Sequence, residues 1–549
     1  MDQIPASNSQ DRSNRRFLAV VCILVVCSLL AFIYVYSLGD TDLDGDGWAH
    51  VKIARLWTDA VNPGYEQIGT VWLPLFHLLA APLAANDYLW KTGLAGSVVS
   101  MLSFVFAGLG LYRLLTRTAL TRSVVVLGMV FYLLNPSWLY YQSTPMQEPL
   151  SVALSVWNVV FLVRWQQQSR RSFLFLAGLI NALAALNRYE GWVFIPFATI
   201  WILIAEIDGS VRTWPRRWWD ACLYGFIASL APLYWFAHNW FMYGDALEFV
   251  RGPYSAWALY MRQVAELHFK YPTEGHLWLS VLYFSKSMRY CGGEICFWLA
   301  VLGLGVFIAW GLKPRGDFKA GLKSYWLSSN ATFLLLLVPC AFYIYALSKG
   351  RVPTYVVDYY PYQNFGVRYG HLAIPAIVML AAITMEFVRR WLSSKLLLMS
   401  LGTVLIIGLI FPVALAIKTH LHSLPAQEEP YYNNLDDRRT LKELAEYLKP
   451  RWHGEKILMN SGYLGRIVQL DAIPLKNCFI ESNLRAWEFA LRYPFPRVQW
   501  VFAEEGDDVW RMIQTVPAYH RYYQEVKQVR GVRAHVIHVY RHFAGEGLR

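Results

Sequence analysis

The sequence predicts an α-helical polytopic membrane protein, with about eleven transmembrane helices and a C-terminal extracytoplasmic α/β domain. Three observations carry this. Apolar residues make up 56% of the 549 positions and charged residues only 16%, where a soluble chain is about one quarter charged. Apolar runs of roughly 17 to 25 residues, the length a helix needs to cross hydrocarbon, recur up to residue 417. Arginines and lysines gather in the short loops between the runs, as topology signals do.

The first run, 17–38, lacks a small-residue cleavage site and reads as an uncleaved helix. Arg12, Arg15 and Arg16 precede it, so residues 1–16 form a cytoplasmic tail. Later basic loops hold Arg113, Arg117 and Arg122; Arg164, Arg170 and Arg171; Arg212, Arg216 and Arg217; Lys313, Arg315, Lys319 and Lys323; and Arg389, Arg390 and Lys395. With all of these inside, helices fall near 17–38, 88–112, 123–141, 148–165, 172–188, 191–207, 219–237, 293–312, 326–347, 369–388 and 395–417. A crossing at 68–85 would turn every later basic loop outward. That segment therefore reads as re-entrant or surface-lying, broken by Pro74 and Pro82.

The transmembrane domain is thus 17–417, and 418–549 is an extracytoplasmic domain. Within the latter, 436–448 has a helical apolar face, and 456–459, 498–502 and 534–540 read as strands. The net charge of +12 belongs to topology, so the chain has no nucleic-acid partner. The 24 Trp and 34 Tyr suit interfacial belts and sugar-stacking surfaces alike. Of the seven cysteines, Cys22, Cys27, Cys222 and Cys340 lie in apolar runs as packing residues, while Cys291 and Cys296 are close enough for a disulfide in an oxidising compartment.

The unusual polar residues collect in the outer loops. The first holds Asp40, Asp42, Asp44 and Asp46, like charges that need a cation, a donor or a substrate. From Trp48 to Thr58 the chain reads as an amphipathic helix lying on the membrane surface, with Asp46 near its N-terminus as a cap or a reactive group. Glu148, before Pro149, opens the fourth helix. Arg188 and Glu190 occupy the next outer turn, where a guanidinium pairs with the carboxylate or takes a phosphate. Arg368 and Tyr369 open a late helix at headgroup level, where Arg368 snorkels to lipid or grips a lipid-linked phosphate.

Two chemistries fit acids and guanidiniums on one face. A carboxylate deprotonates an acceptor hydroxyl that attacks a sugar carbon, and arginines stabilise the departing lipid phosphate. Alternatively, carboxylates hold a divalent cation, Mg²⁺ or Mn²⁺, that does the stabilising. Spacing does not separate the two. No Walker loop, His-Glu-x-x-His, Gly-x-Ser-x-Gly or Cys-x-x-Cys motif is present.

Over most of 17–417 these features resemble the GT-C class of integral membrane glycosyltransferases, particularly the protein O-mannosyltransferase and aminoarabinose-transferase branch. Asp46-Gly47 stands where the branch has Asp followed by Glu, His50 stands where an aromatic falls, and Ala54 follows. Asp44 supplies a second acid in an Asp-x-Asp arrangement. Trp72 to Phe76, Glu148, Asn239 to Phe249 and Arg368-Tyr369 are similar to further motifs of the class. The resemblance implies a GT-C-like catalytic domain, a polyprenyl-phosphate sugar donor, and transfer to a protein, glycan or lipid acceptor outside the cytoplasm. It implies Asp46 as catalytic base with Asp44 and Glu148 assisting, or these three as metal ligands. Arg188 and Arg368 would hold the donor phosphate, and Trp48, His50, Glu190 and Tyr369 would line the substrate site. The rival readings are a transporter or flippase for a lipid-linked or polar substrate, and a structural subunit recruiting a partner through 418–549.

Overall fold

The computed structural model describes residues 6–208, 210, 212–267, 269–312, 326–392, 394–462, 464–471, 473–531 and 536–543. The basic loop from Lys313 to Lys323 and the first two residues of the expected strand 534–540 lie outside them. The chain forms two compact units. One comprises 1–40, 70–75 and 99–429; the other comprises 41–69, 76–98 and 430–549.

The first unit is helical and is that of an integral membrane protein. Among the described residues, six helices are long and apolar enough to cross a membrane: Asn14–Leu38, Leu94–Arg117, Trp214–Tyr243, Glu294–Leu312, Val367–Trp391 and Lys395–Lys418. Shorter apolar helices include Arg122–Leu133, Arg171–Asn187 and Glu190–Ile204. The single helix expected at 123–141 is two, because the Asn135 side chain caps a new helix, Pro136–Tyr141, with Pro at the first helical position. The segment expected at 326–347 opens as a 3-10 turn, Thr332–Leu337, before the α-helix Val338–Ser348.

A helix that hydropathy does not reveal, Leu277–Gly292, carries Lys286 and Arg289 and has polar ties to its neighbours. Ser287 Oγ donates to Val367 O at 2.6 Å, and Asn135 Nδ2 donates to Cys291 O at 2.8 Å. Cys291 and Cys296 form no disulfide; all seven cysteines are free thiols. Cys291 instead donates to Val367 O at 3.2 Å. Glu294–Leu312 and Ile374–Trp391 approach so closely at Gly303 that a Cβ there would collide with the Leu380 carbonyl. Glycine permits that approach because it has no side chain.

The second unit carries a five-stranded sheet of order β2-β1-β3-β5-β4, with β1 Ile457–Met459, β2 Cys478–Phe479, β3 Trp500–Glu504, β4 Tyr523–Arg530 and β5 Val536–His542. β2, β1 and β3 run parallel, and β5 and β4 add antiparallel. β3 is almost wholly buried, as its run of apolar residues dictates. β4 lies at the sheet edge and is largely exposed, with only Tyr523 and Val529 buried, which explains why it is inconspicuous in the sequence. The helix expected at 436–448 begins earlier, as Pro425–Leu448. The helix Leu75–Ala84 is ten residues long, which at 1.5 Å per residue is about half the thickness of a hydrocarbon core.

Candidate functional site

In the first unit, buried charges converge on Glu148. The helix Glu148–Gln168 starts there, ahead of Pro149. Glu148 is fully buried, and its Oε1 lies 3.4 Å from Arg188 Nη1 and 3.5 Å from Arg368 Nε. The other oxygen, Oε2, is buried without a hydrogen bond. Arg188 follows the end of Arg171–Asn187 in extended backbone. Its Nε pairs with Glu190 Oε1 at 2.9 Å, and its Nη2 donates to Tyr343 OH at 2.5 Å. The Tyr369 ring lies 5.5 Å from the Arg188 guanidinium and 5.3 Å from that of Arg368, and stacks on Tyr343 at 4.7 Å.

Arg368 sits in a 3-10 turn, Val367–Ala373, entered through Gly366 at φ 63°, a left-handed position suited to glycine. Its carbonyl contacts His371 Nδ1 at 2.8 Å, and His371 Nε2 contacts Ser137 Oγ at 2.8 Å. The run from Asn239 to Phe249 turns at Gly244, φ 78°, and brings Phe249 flat against Tyr189 at 5.6 Å. Tyr189 OH in turn donates to Val71 O at 2.6 Å. Glu148, Arg188, Glu190, Arg368 and Tyr369 thus form one cluster. Tyr343, its sixth member, lies in an apolar stretch, and no local signal distinguishes it in the sequence.

In the second unit, the acidic loop folds as the helix Gly45–Leu56. Asp44, not Asp46, is its cap: the Asp44 carboxylate accepts from Asp46 N at 2.9 Å. Asp46 occupies the first turn and is half-buried. The helix does not lie with its apolar face on a membrane surface. Trp48, Val51, Ala54 and Leu56 are buried. Trp48 is covered by Lys52 Nζ at 4.9 Å, and His50 is buried with Nδ1 2.9 Å from His77 Nε2. The structure therefore buries both Trp48 and His50.

Lys52 is buried, and its ammonium meets Ser461 Oγ at 2.6 Å and Ser461 O at 3.1 Å. Burial lowers its pKa, and Glu481 opposes that shift. Ser461 Oγ donates to Glu481 Oε1 at 2.6 Å. No local signal in the sequence links Lys52 to Ser461, 409 positions away.

Among the described residues no three His, Cys, Asp or Glu side chains gather as a metal site. Glu148 Oε1 faces two guanidiniums, which compete with any cation. Asp44 is committed as a helix cap. This donor set does not fit Mg²⁺ or Mn²⁺, which favour several convergent oxygens.

No family model matches the chain, and no curated protein matches its sequence. Solved structures similar in fold include ArnT from Cupriavidus metallidurans in the apo state, at 11% identity and TM-score 0.49 over 97% of this chain and 98% of that one. The archaeal oligosaccharyltransferase AglB from Archaeoglobus fulgidus, in complex with an inhibitory peptide and a dolichol-phosphate, is similar at 10% identity and TM-score 0.48, over 98% and 75%. The arabinofuranosyltransferase AftD from Mycobacteria is similar at 14% identity and TM-score 0.43, over 95% and 42%. All three are GT-C glycosyltransferases. The likeness concerns chain path, and the chemistry rests on this chain's own residues.

Proposed function

We propose that the chain is an inverting glycosyltransferase of the GT-C class, moving a hexosyl or pentosyl group from a polyprenyl-phosphate donor to an acceptor hydroxyl on the extracytoplasmic face. The observation that carries this reading is the convergence of Arg188 and Arg368 on the buried Glu148. Buried guanidiniums are costly in a membrane protein and mark anion or substrate sites. Arg188 is fixed by Glu190 and Tyr343, so its part is to position the cluster. Arg368 takes the donor phosphate, and Tyr369 forms the wall beside it.

Asp46 is the base. The acceptor O–H gives its proton to the Asp46 carboxylate as the oxygen attacks the anomeric carbon. The bond from that carbon to the phosphate oxygen breaks, and its electron pair leaves on the phosphate. Arg368 stabilises the charge that develops there. Attack opposite the leaving group inverts the configuration. Asp44 supports Asp46 by capping the helix that carries it. The acceptor is a protein, glycan or lipid.

The test is donor consumption by the purified chain in lipid nanodiscs, across a panel of polyprenyl-phosphate sugars, with and without chelator. One donor is consumed, chelator leaves the rate unchanged, and Asp46→Asn abolishes turnover without altering thermal unfolding. A normally folded Asp46→Asn protein with undiminished transfer would refute the assignment.

A further inference from the structure

The helix that carries Asp46 is anchored at three points to residues between 461 and 476, all within the second unit. At its entry, Arg466 Nη2 pairs with Asp42 Oδ2 at 3.0 Å. At its exit, Lys476 N donates to Asp59 Oδ1 at 3.0 Å. Between them, the Lys52 ammonium sits on Ser461, and Glu481 receives both Ser461 Oγ at 2.6 Å and Ser461 N at 2.7 Å. Ser461 follows β1 and Glu481 follows β2, at the carboxyl edge of the parallel strands. That edge is where sheets of this kind carry their polar sites. Here a lysine of the chain itself fills the place. The seat is also shaped sterically, since a Cβ on Gly465 would press on the Trp48 ring at 2.8 Å.

Each anchor has a local cause. A buried ammonium needs acceptors, and the Ser461 hydroxyl and carbonyl supply two. A serine hydroxyl that accepts from lysine has its proton left to donate, and Glu481 takes it. Lys52 lies six positions after Asp46, which at 3.6 per turn sets them roughly 120° apart around the helix. Lys52 can therefore be locked inward while Asp46 remains half-buried on another face.

We propose that Ser461 and Glu481 are positioning residues for transfer: by gripping Lys52 they fix the rotation and height of the helix that presents Asp46. This rests on the reading of Asp46 as base. The C-terminal residues thereby act on the reaction without touching substrate, through a ladder from Glu481 to Ser461 to Lys52.

The full chain in nanodiscs tests this with Ser461→Ala, Ser461→Thr and Glu481→Gln. Hydrogen exchange of peptides covering 41–59 is read first. Faster exchange in Ser461→Ala and Glu481→Gln, with Ser461→Thr near wild type, is expected; wild-type protection in both disruptive variants overturns the proposal whether or not the protein transfers sugar. On the donor that wild type consumes, kcat falls by about 10- to 100-fold in Ser461→Ala and Glu481→Gln, as for a misplaced catalytic group. Donor KM stays within about twofold of wild type, and Ser461→Thr recovers kcat. Loosened exchange with unchanged kcat also overturns it. If wild type consumes no donor, the functional reading has failed, and the exchange result alone decides whether the ladder holds the helix.

Discussion

Replacing Glu148 by glutamine keeps the side-chain shape and removes one buried charge from between two guanidiniums. At 3.4 and 3.5 Å and an effective dielectric near 20, each contact is worth roughly 5 kcal/mol of gross Coulomb energy. Much of that only offsets the cost of removing the carboxylate from water, so the pair is no measure of net stability. Deleting one partner is different, because the guanidiniums stay buried after their counter-charge has gone. A loss of about 3 to 5 kcal/mol is expected, toward the lower end because Arg188 keeps Glu190 and Tyr343. Reversible unfolding in mixed micelles, followed for Glu148→Gln, Arg368→Gln and the double variant, gives the cycle. The double variant should be less destabilised than the sum of the singles by about 1 to 3 kcal/mol. A Glu148→Gln protein within about 1 kcal/mol of wild type, or additive singles, would refute the argument that the cluster is an ionic unit.

Asp44→Ala removes the cap of Gly45–Leu56 and should cost about 1 kcal/mol of local stability, read as faster amide exchange in that helix. Burial raises the Asp507 pKa from 3.8 to about 6, so the folded state holds this proton more tightly than the unfolded one. Its contribution is present below about pH 4 and is lost as pH rises toward 6. Asp507→Asn retains the cap on Trp510 N and should flatten that part of the stability curve. Gly303→Val forces a side chain against the Leu380 carbonyl and should lower stability by about 3 kcal/mol or more, measured as a lower unfolding midpoint. Denatured, unreduced protein should take up seven alkyl groups by intact mass, since all seven thiols are free.

The membrane helices were legible because apolar length is a one-dimensional signal, and six spans and three of the strands lie close to their expected places. Leu277–Gly292 is hidden in the sequence because Lys286 and Arg289 interrupt its hydropathy, although both are paired, with Asp358 and Glu294. Glu148, Arg188, Glu190 and Arg368 were visible as charges at helix ends, but Tyr343 looked like packing. Asp44 and Asp46 were legible as a pair, and which of them caps the helix depends on one backbone hydrogen bond. The ladder from Lys52 to Glu481 was beyond reach, since burial of a lysine is decided by chain laid down hundreds of residues later.

That distance sets a schedule for biogenesis. Lys52 and Ser461 are 409 positions apart, and at 5 to 20 residues per second a ribosome needs roughly 20 to 80 s between them. Throughout that interval the Lys52 ammonium lacks Ser461, and the Trp48 ring lacks its neighbour Gly465. The segment is therefore made long before the residues that anchor it. A copy terminated before residue 461 retains its membrane helices but lacks the seat for the acidic loop. On the proposed function such a copy would be inserted yet inert, so activity would begin only after Ser461 and Glu481 have been made.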